Sequence, residues 1–243
     1  MIKQFDVCID EIIAGYKKDK NGRHKSYEYR RKCFLDNRYY PEKNDLITLN
    51  LYAYLASWGM LRNSFLLYKE YYFNNEVVKK LCSYSSLLNF DSFKQNEKDL
   101  EEIEKIKKDI VNCYKGKGYI KDGDQKKIKR VSDTLVTKII LGTLGCVPAY
   151  DTYFKSGLDN CFKKEEVKEK GLKKFNKNSM KEIIDFAIEH EEKIRYACEE
   201  LDKLSEVKGL YTPMKIVDMY FFEVGLEVEK ERIIKQQTNI QNP

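Results

Sequence analysis

Residues 132–158, SDTLVTKIILGTLGCVPAYDTYFKSGL, decide the fold. They read as an apolar helix, a Gly-Cys-Val-Pro break at 145–148, and a second segment that opens on Asp151. Val136, Ile139, Ile140 and Leu144 recur at helical spacing, which predicts one buried face. Gly145 suits a helix C-cap and Pro148 forbids continuation, so the break follows from the chain itself. Asp151, followed by Thr152 and Tyr153, stands where a new helix begins. A carboxylate there has two readings. It can cap the helix by accepting backbone N–H bonds, or it can be the one charged group held at the mouth of a cleft.

Working outward, residues 46–72 (LITLNLYAYLASWGMLRNSFLLYKEYY) are apolar on nearly all sides and predict a central buried helix. Ala53, Ala56, Ser57 and Gly59 would let another helix approach, and Trp58, the only tryptophan, reads as a core anchor. Arg62 interrupts this run and needs a carboxylate partner or a phosphate-facing cleft, because an unpaired buried guanidinium is costly. Residues 1–15 and 74–90 predict further helices. Residues 93–114 predict another, with Leu100, Ile103, Ile106 and Ile110 on one stripe. Asn21-Gly22 is a turn signal, and Tyr27 and Tyr29 after it lie among Arg23, Lys25, Arg30 and Arg31. Such aromatics stack on nucleobases or pack at a core edge. Residues 161–178 read as a basic linker. Ser179 and Glu182 fit a capping box for a helix running to about Leu204. Thr212-Pro213 then opens a last core helix that carries Asp218. The polar tail 235–243 is expected to fray. No repeat and no convincing strand is visible, so the expectation is an all-α chain with one domain over 1–234.

Composition supports this class and excludes others. Four prolines and twelve glycines in 243 residues, with abundant Lys, Glu and Leu, favour helix. No run approaches the roughly 20 apolar residues of a membrane span. The first segment, MIKQFDVCIDEII, mixes acids with apolar residues and is unlike a signal peptide. A soluble, cytoplasmic protein without membrane contact is expected. The seven cysteines are odd in number, no pair is spaced as CxxC, and His24 and His190 lie far apart. Neither a disulfide framework nor a Cys/His metal site is expected. No clustered acids suggest a metal-dependent nuclease. No cofactor motif is present either: Walker A and the dinucleotide glycine pattern are both missing.

The net charge of +6 is unevenly spread. Residues 16–32 hold eight Lys/Arg against two acids, and 105–138 hold eleven against four, whereas 91–104 hold six acids against two lysines. Basic blocks set apart from acidic helix faces suggest contact with a polyanion. The glycine-containing segment 113–130 (CYKGKGYIKDGDQKKIKR) carries Lys115, Lys117, Lys126, Lys127, Lys129 and Arg130 just before the organising helix. It reads as a phosphate-gripping loop.

The segments YLASWGMLRNSFLL (54–67), TKIILGTLGCVPAYDTYF (137–154) and TPMKIVDMYFFEVGLE (212–227) resemble a widespread bacterial family without an assigned activity. The middle block also resembles, more distantly, the core of the helix-hairpin-helix DNA glycosylases. There an apolar helix, a short apolar-Pro connection and an Asp-Thr/Val-aromatic-apolar tetrad follow one another, as in 149–154 here. The resemblance implies that Asp151 supports cleavage of an N-glycosidic bond. Tyr150 or Tyr153 would stack on an extruded base. The basic loop, with Lys138 and Arg62, would contact DNA. The Leu-Pro-Gly-Val-Gly hairpin of that superfamily is absent. The position of its lyase lysine falls near Ser132 or Asp133, which implies a monofunctional enzyme leaving an abasic site. The alternative is a non-catalytic helical module that binds nucleic acid or protein. In it Asp151 is a cap and Arg62 pairs with Asp218 or another acid.

Overall fold

The computed structural model describes residues 4–19, 22–62, 64–117, 119–122, 125–128 and 130–241. Among them are eleven α-helices and a single two-stranded hairpin, an all-α architecture. The core is built around α6 (Asp133–Leu141) and the break after it. Every residue from 135 to 150 is buried, so this helix packs on all sides rather than on the one face that its periodicity predicts. Ser132 caps it, its hydroxyl accepting from Leu135 N at 3.2 Å. The C-cap is Gly142 rather than the expected Gly145; Gly145, beyond the helix end, adopts φ +68 in the left-handed conformation that glycine tolerates, its N–H donating to Ile140 O at 3.0 Å.

Around α6 pack α3 (Asn44–Ser57) and α5 (Glu97–Tyr114), while α2 (Arg23–Asn37) lies on α3 and α4 (Asn75–Cys82) bridges α3 and α5. The most extensive pairing is between α7 (Thr152–Cys161) and α11 (Pro213–Gln241). Their backbones approach so closely that a β-carbon on Gly157 would run into the Phe221 carbonyl, and one on Gly225 into the Tyr153 carbonyl. On the other side of α11 lie α1 (Phe5–Lys18) and α10 (Glu191–Ser205).

Several sequence expectations change. The predicted helix over 46–72 ends at Ser57, where Gly59 takes φ +72 and the chain turns before two short 3-10 stretches, Phe65–Tyr68 and Tyr71–Asn74. An all-apolar pattern shows burial but not where a helix stops. The basic linker contains a short helix, α8 (Lys164–Glu169). The capping box begins at Asn176 with Ser179 as its third helical residue. The single helix expected beyond it is two, α9 (Lys177–Glu189) and α10, broken at His190. Part of the basic loop is an antiparallel hairpin, β1 (Tyr119–Asp122) with β2 (Gln125–Ile128), in the register Tyr119 to Ile128. Thr212-Pro213 does open α11 as expected. All seven cysteines are free thiols. Among the described residues, no helix is long and apolar enough to cross a membrane and no cluster of metal-ligating side chains occurs.

Candidate functional site

The buried break places non-helical backbone inside the core, where each N–H and C=O needs a partner. Side chains from three other elements supply them. Tyr150 N donates to Thr137 Oγ1 at 2.9 Å, and Tyr150 O accepts from Thr134 Oγ1 at 2.8 Å. Ala149 N donates to Asp218 Oδ1 at 2.9 Å. Thr143 O accepts from Arg31 Nη1 at 2.6 Å, and Gly145 O from Thr212 Oγ1 at 2.8 Å. The segment that delivers Asp151 is therefore held by α2, α6 and α11 together.

Asp151 is the helix cap that its position suggested, and it also lines a cavity, though not as the one charged group there. Its Oδ1 accepts from Phe154 N at 3.0 Å and caps α7. Its Oδ2 accepts from Lys138 Nζ at 2.8 Å, and both side chains line a cavity of about 500 Å³. A second pair, Lys215 Nζ to Asp218 Oδ2 at 2.7 Å, lies in the same wall. The two ammonium groups share one indole: Lys138 lies 4.6 Å and Lys215 5.5 Å from the Trp58 ring centre. Tyr16, Tyr54 and Phe222 add aromatic wall, and Cys8, Ile12, Leu141 and Met219 add apolar wall. His24 also lines the cavity. Its burial, and next the Lys215 ammonium, push its pKa down to about 4, so the ring is neutral at pH 7. Its Nδ1 is buried without a hydrogen-bond partner. The lining also includes Glu11 and Asp19, both exposed, and half-buried Glu223 and Glu227. A cavity of this size with an aromatic wall and fixed charged groups suits a planar small group.

Of the residues expected to act together, Asp151 and Asp218 meet at the cavity, but Arg62 does not. It is exposed, so the buried guanidinium anticipated from its apolar neighbours does not exist, and Asp218 pairs with Lys215 instead. Tyr150 is corrected outright. It is fully buried, its hydroxyl sharing a hydrogen bond with Ser179 Oγ at 2.9 Å, and no face is open to a base. Lys138 is also corrected: at 5% exposure it faces Asp151 inside the cavity, not an outer surface that could grip a phosphate backbone. Tyr153 is half-buried and meets the cavity only through Phe222, with ring centres 5.0 Å apart. Lys115, Lys117 and Arg130 are exposed. The side chains of Lys126 and Lys127, and the whole of Lys129, lie outside the described residues. Among the described residues, none from 115–130 lines the cavity.

Sequence reasoning missed Lys215, His24 and the placement of Trp58 on the cavity wall. One signal was present: Lys215 and Asp218, spaced i,i+3, interrupt the apolar first turns of α11, where a buried charge needs a partner. Nothing local marks His24 or Trp58. Comparison of the chain with protein-family models, with characterised proteins and with solved structures finds no match.

Proposed function

We propose that this protein hydrolyses an N-glycosidic bond in the manner of a DNA glycosylase, receiving an extruded base in the cavity beside Asp151. The observation that supports the reading is the Lys138–Asp151 pair on the wall of an aromatic cavity large enough for a base. The base enters against Trp58 and Phe222, and the sugar faces Asp151. As the C1′–N bond lengthens, its electron pair leaves with the base and positive charge grows on the sugar. The Asp151 carboxylate stabilises that charge. Water attacks C1′ and its proton passes to the carboxylate. Lys138 and the Phe154 N–H hold the two oxygens, so Asp151 is oriented before substrate arrives.

The test is strand nicking after alkali, on DNA carrying damaged or phage-type modified bases, with wild type and Asp151→Asn. Alkali-dependent breaks lost in the variant are expected, and their absence on every substrate overturns the reading. The exposed Lys115, Lys117, Arg130 and Arg62 supply DNA affinity in this scheme. One observation favours the second reading, a binding module without catalysis: none of these four bases lines the cavity. Salt-sensitive DNA binding with no cleavage would identify it.

A further inference from the structure

The segment that the sequence presents as a basic linker, residues 161–178, holds seven lysines against three glutamates. The structure folds part of it into α8 and a tight turn. Gly171 takes φ +63 with open space at its β-position, and Leu172 N donates to Val167 O at 3.0 Å, a left-handed helix ending. The turn brings Lys173 and Lys174 beside Lys168 around a groove of about 450 Å³. Among the described residues Asp159, near the end of α7, is the one acid in its lining, and it is matched by Lys173. Lys168 and Lys174 form no ion pair among the described residues, and the exposed Glu165 and Glu169 of α8 do not line the groove. Lysines at a helix end can serve its dipole. Here the carbonyls of Glu166, Val167 and Lys168 already accept from the N–H groups of Lys170, Leu172 and Gly171, so the two ammonium groups are left for another anion.

One helix ties this groove to the cavity. Asp151, Lys155 and Asp159 stand at i, i+4 and i+8, so they share a stripe of α7 that starts at the cavity wall and ends at the groove. Lys155 is half-buried and also forms no ion pair among the described residues. We infer that Lys155, Lys168 and Lys174 hold the phosphate backbone of a nucleic-acid strand whose extruded nucleotide occupies the cavity. The inference rests on the reading of the cavity as a base receptor and assigns the surface that grips the strand beside it. From Asp151 to Asp159 the helix rises about 12 Å. A duplex strand carries a phosphate about every 3.4 Å of its rise, so about three to four phosphates span that distance. Cations set at successive points along the stripe suit such a repeated anion better than a single one.

The test uses the whole chain and fluorescein-labelled DNA, single-stranded and duplex, with binding read by polarisation across a series of salt concentrations. Lys168→Gln/Lys174→Gln is expected to weaken binding about tenfold and to flatten the slope of log affinity against log salt by about two. Adding Lys155→Gln should flatten it by about one more. Lys105→Gln/Lys108→Gln, the same charge change on α5, should lose far less. Urea denaturation curves that match wild type show that the variants are folded. Unchanged affinity and slope in Lys168→Gln/Lys174→Gln, an equal loss in the α5 control, or no DNA binding by wild type overturns the inference. Inorganic pyrophosphate serves as the second probe, by calorimetry. Tight pyrophosphate binding that needs Lys168 and Lys174 but is not displaced by DNA would give the groove to a small phosphate compound and overturn the strand. The fate of the inference is separable from that of the hydrolase reading. Salt-sensitive DNA binding through these lysines, with no nicking of any DNA, overturns only the hydrolase. Asp151-dependent nicking whose KM and salt dependence ignore the lysines overturns only the inference.

Discussion

Lys138 Nζ lies 2.8 Å from Asp151 Oδ2, with both side chains largely buried, so the residue that caps α7 is also bound to α6. Removing one partner leaves the other charge in a poorly solvated wall. Lys138→Met is expected to cost about 2–4 kcal/mol, and Asp151→Asn less, because asparagine still caps the helix. In urea denaturation the double variant should lose clearly less than the two single losses combined, by about 1–3 kcal/mol. Simple additivity would show that the pair does not couple.

The crossing of α7 and α11 depends on two missing side chains. Gly225→Ala and Gly157→Ala each drive a methyl into a backbone carbonyl, which cannot rotate away. A loss of about 3 kcal/mol or more is expected, or failure to fold. Gly15, inside α1, has open space around its β-position, so Gly15→Ala should stabilise by about 0.5–1 kcal/mol. Parallel denaturation curves decide the matter; equal effects at the three sites would rule out the close crossing.

His24 makes stability depend on pH with a defined sign. Its folded pKa of about 4 lies below the ordinary 6.5, because burial and the Lys215 ammonium disfavour the imidazolium. The unfolded chain therefore binds more protons between these values. The contribution is complete above pH 6.5, is lost as pH falls, and levels off below about 4. Its size is on the order of 3 kcal/mol. Glu28, Asp19 and Lys25 also act on this ring, so the contribution is isolated by difference. His24→Gln should flatten the stability profile between pH 6.5 and 4.5, and an unchanged slope would refute the assignment.

Tyr150 is a core residue here. Tyr150→Phe breaks its bond to Ser179 Oγ and should cost about 1 kcal/mol. Alkali-dependent nicking of DNA should not change. A specific loss of nicking at unchanged stability would restore the stacking role that the geometry denies it.

What could be read from the chain alone was local. Gly145, Pro148 and Asp151 punctuate the central segment through a left-handed turn, a lost N–H and capping, all properties of the residues themselves. Pro213 marked the start of α11 for the same reason. The helix over 46–72 was overextended because an apolar run records burial, and burial continues past Gly59 although the helix does not. Tyr150 and Arg62 were misplaced because side-chain exposure is set by what packs on top. Ser179 and Met180 cover the first, while nothing buries the second. The cavity itself is a tertiary product. Glu11, His24, Trp58, Lys138, Asp151 and Lys215 come from elements spread over more than two hundred residues. Only the packing of α1, α3 and α11 around the buried break sets two lysines on one indole.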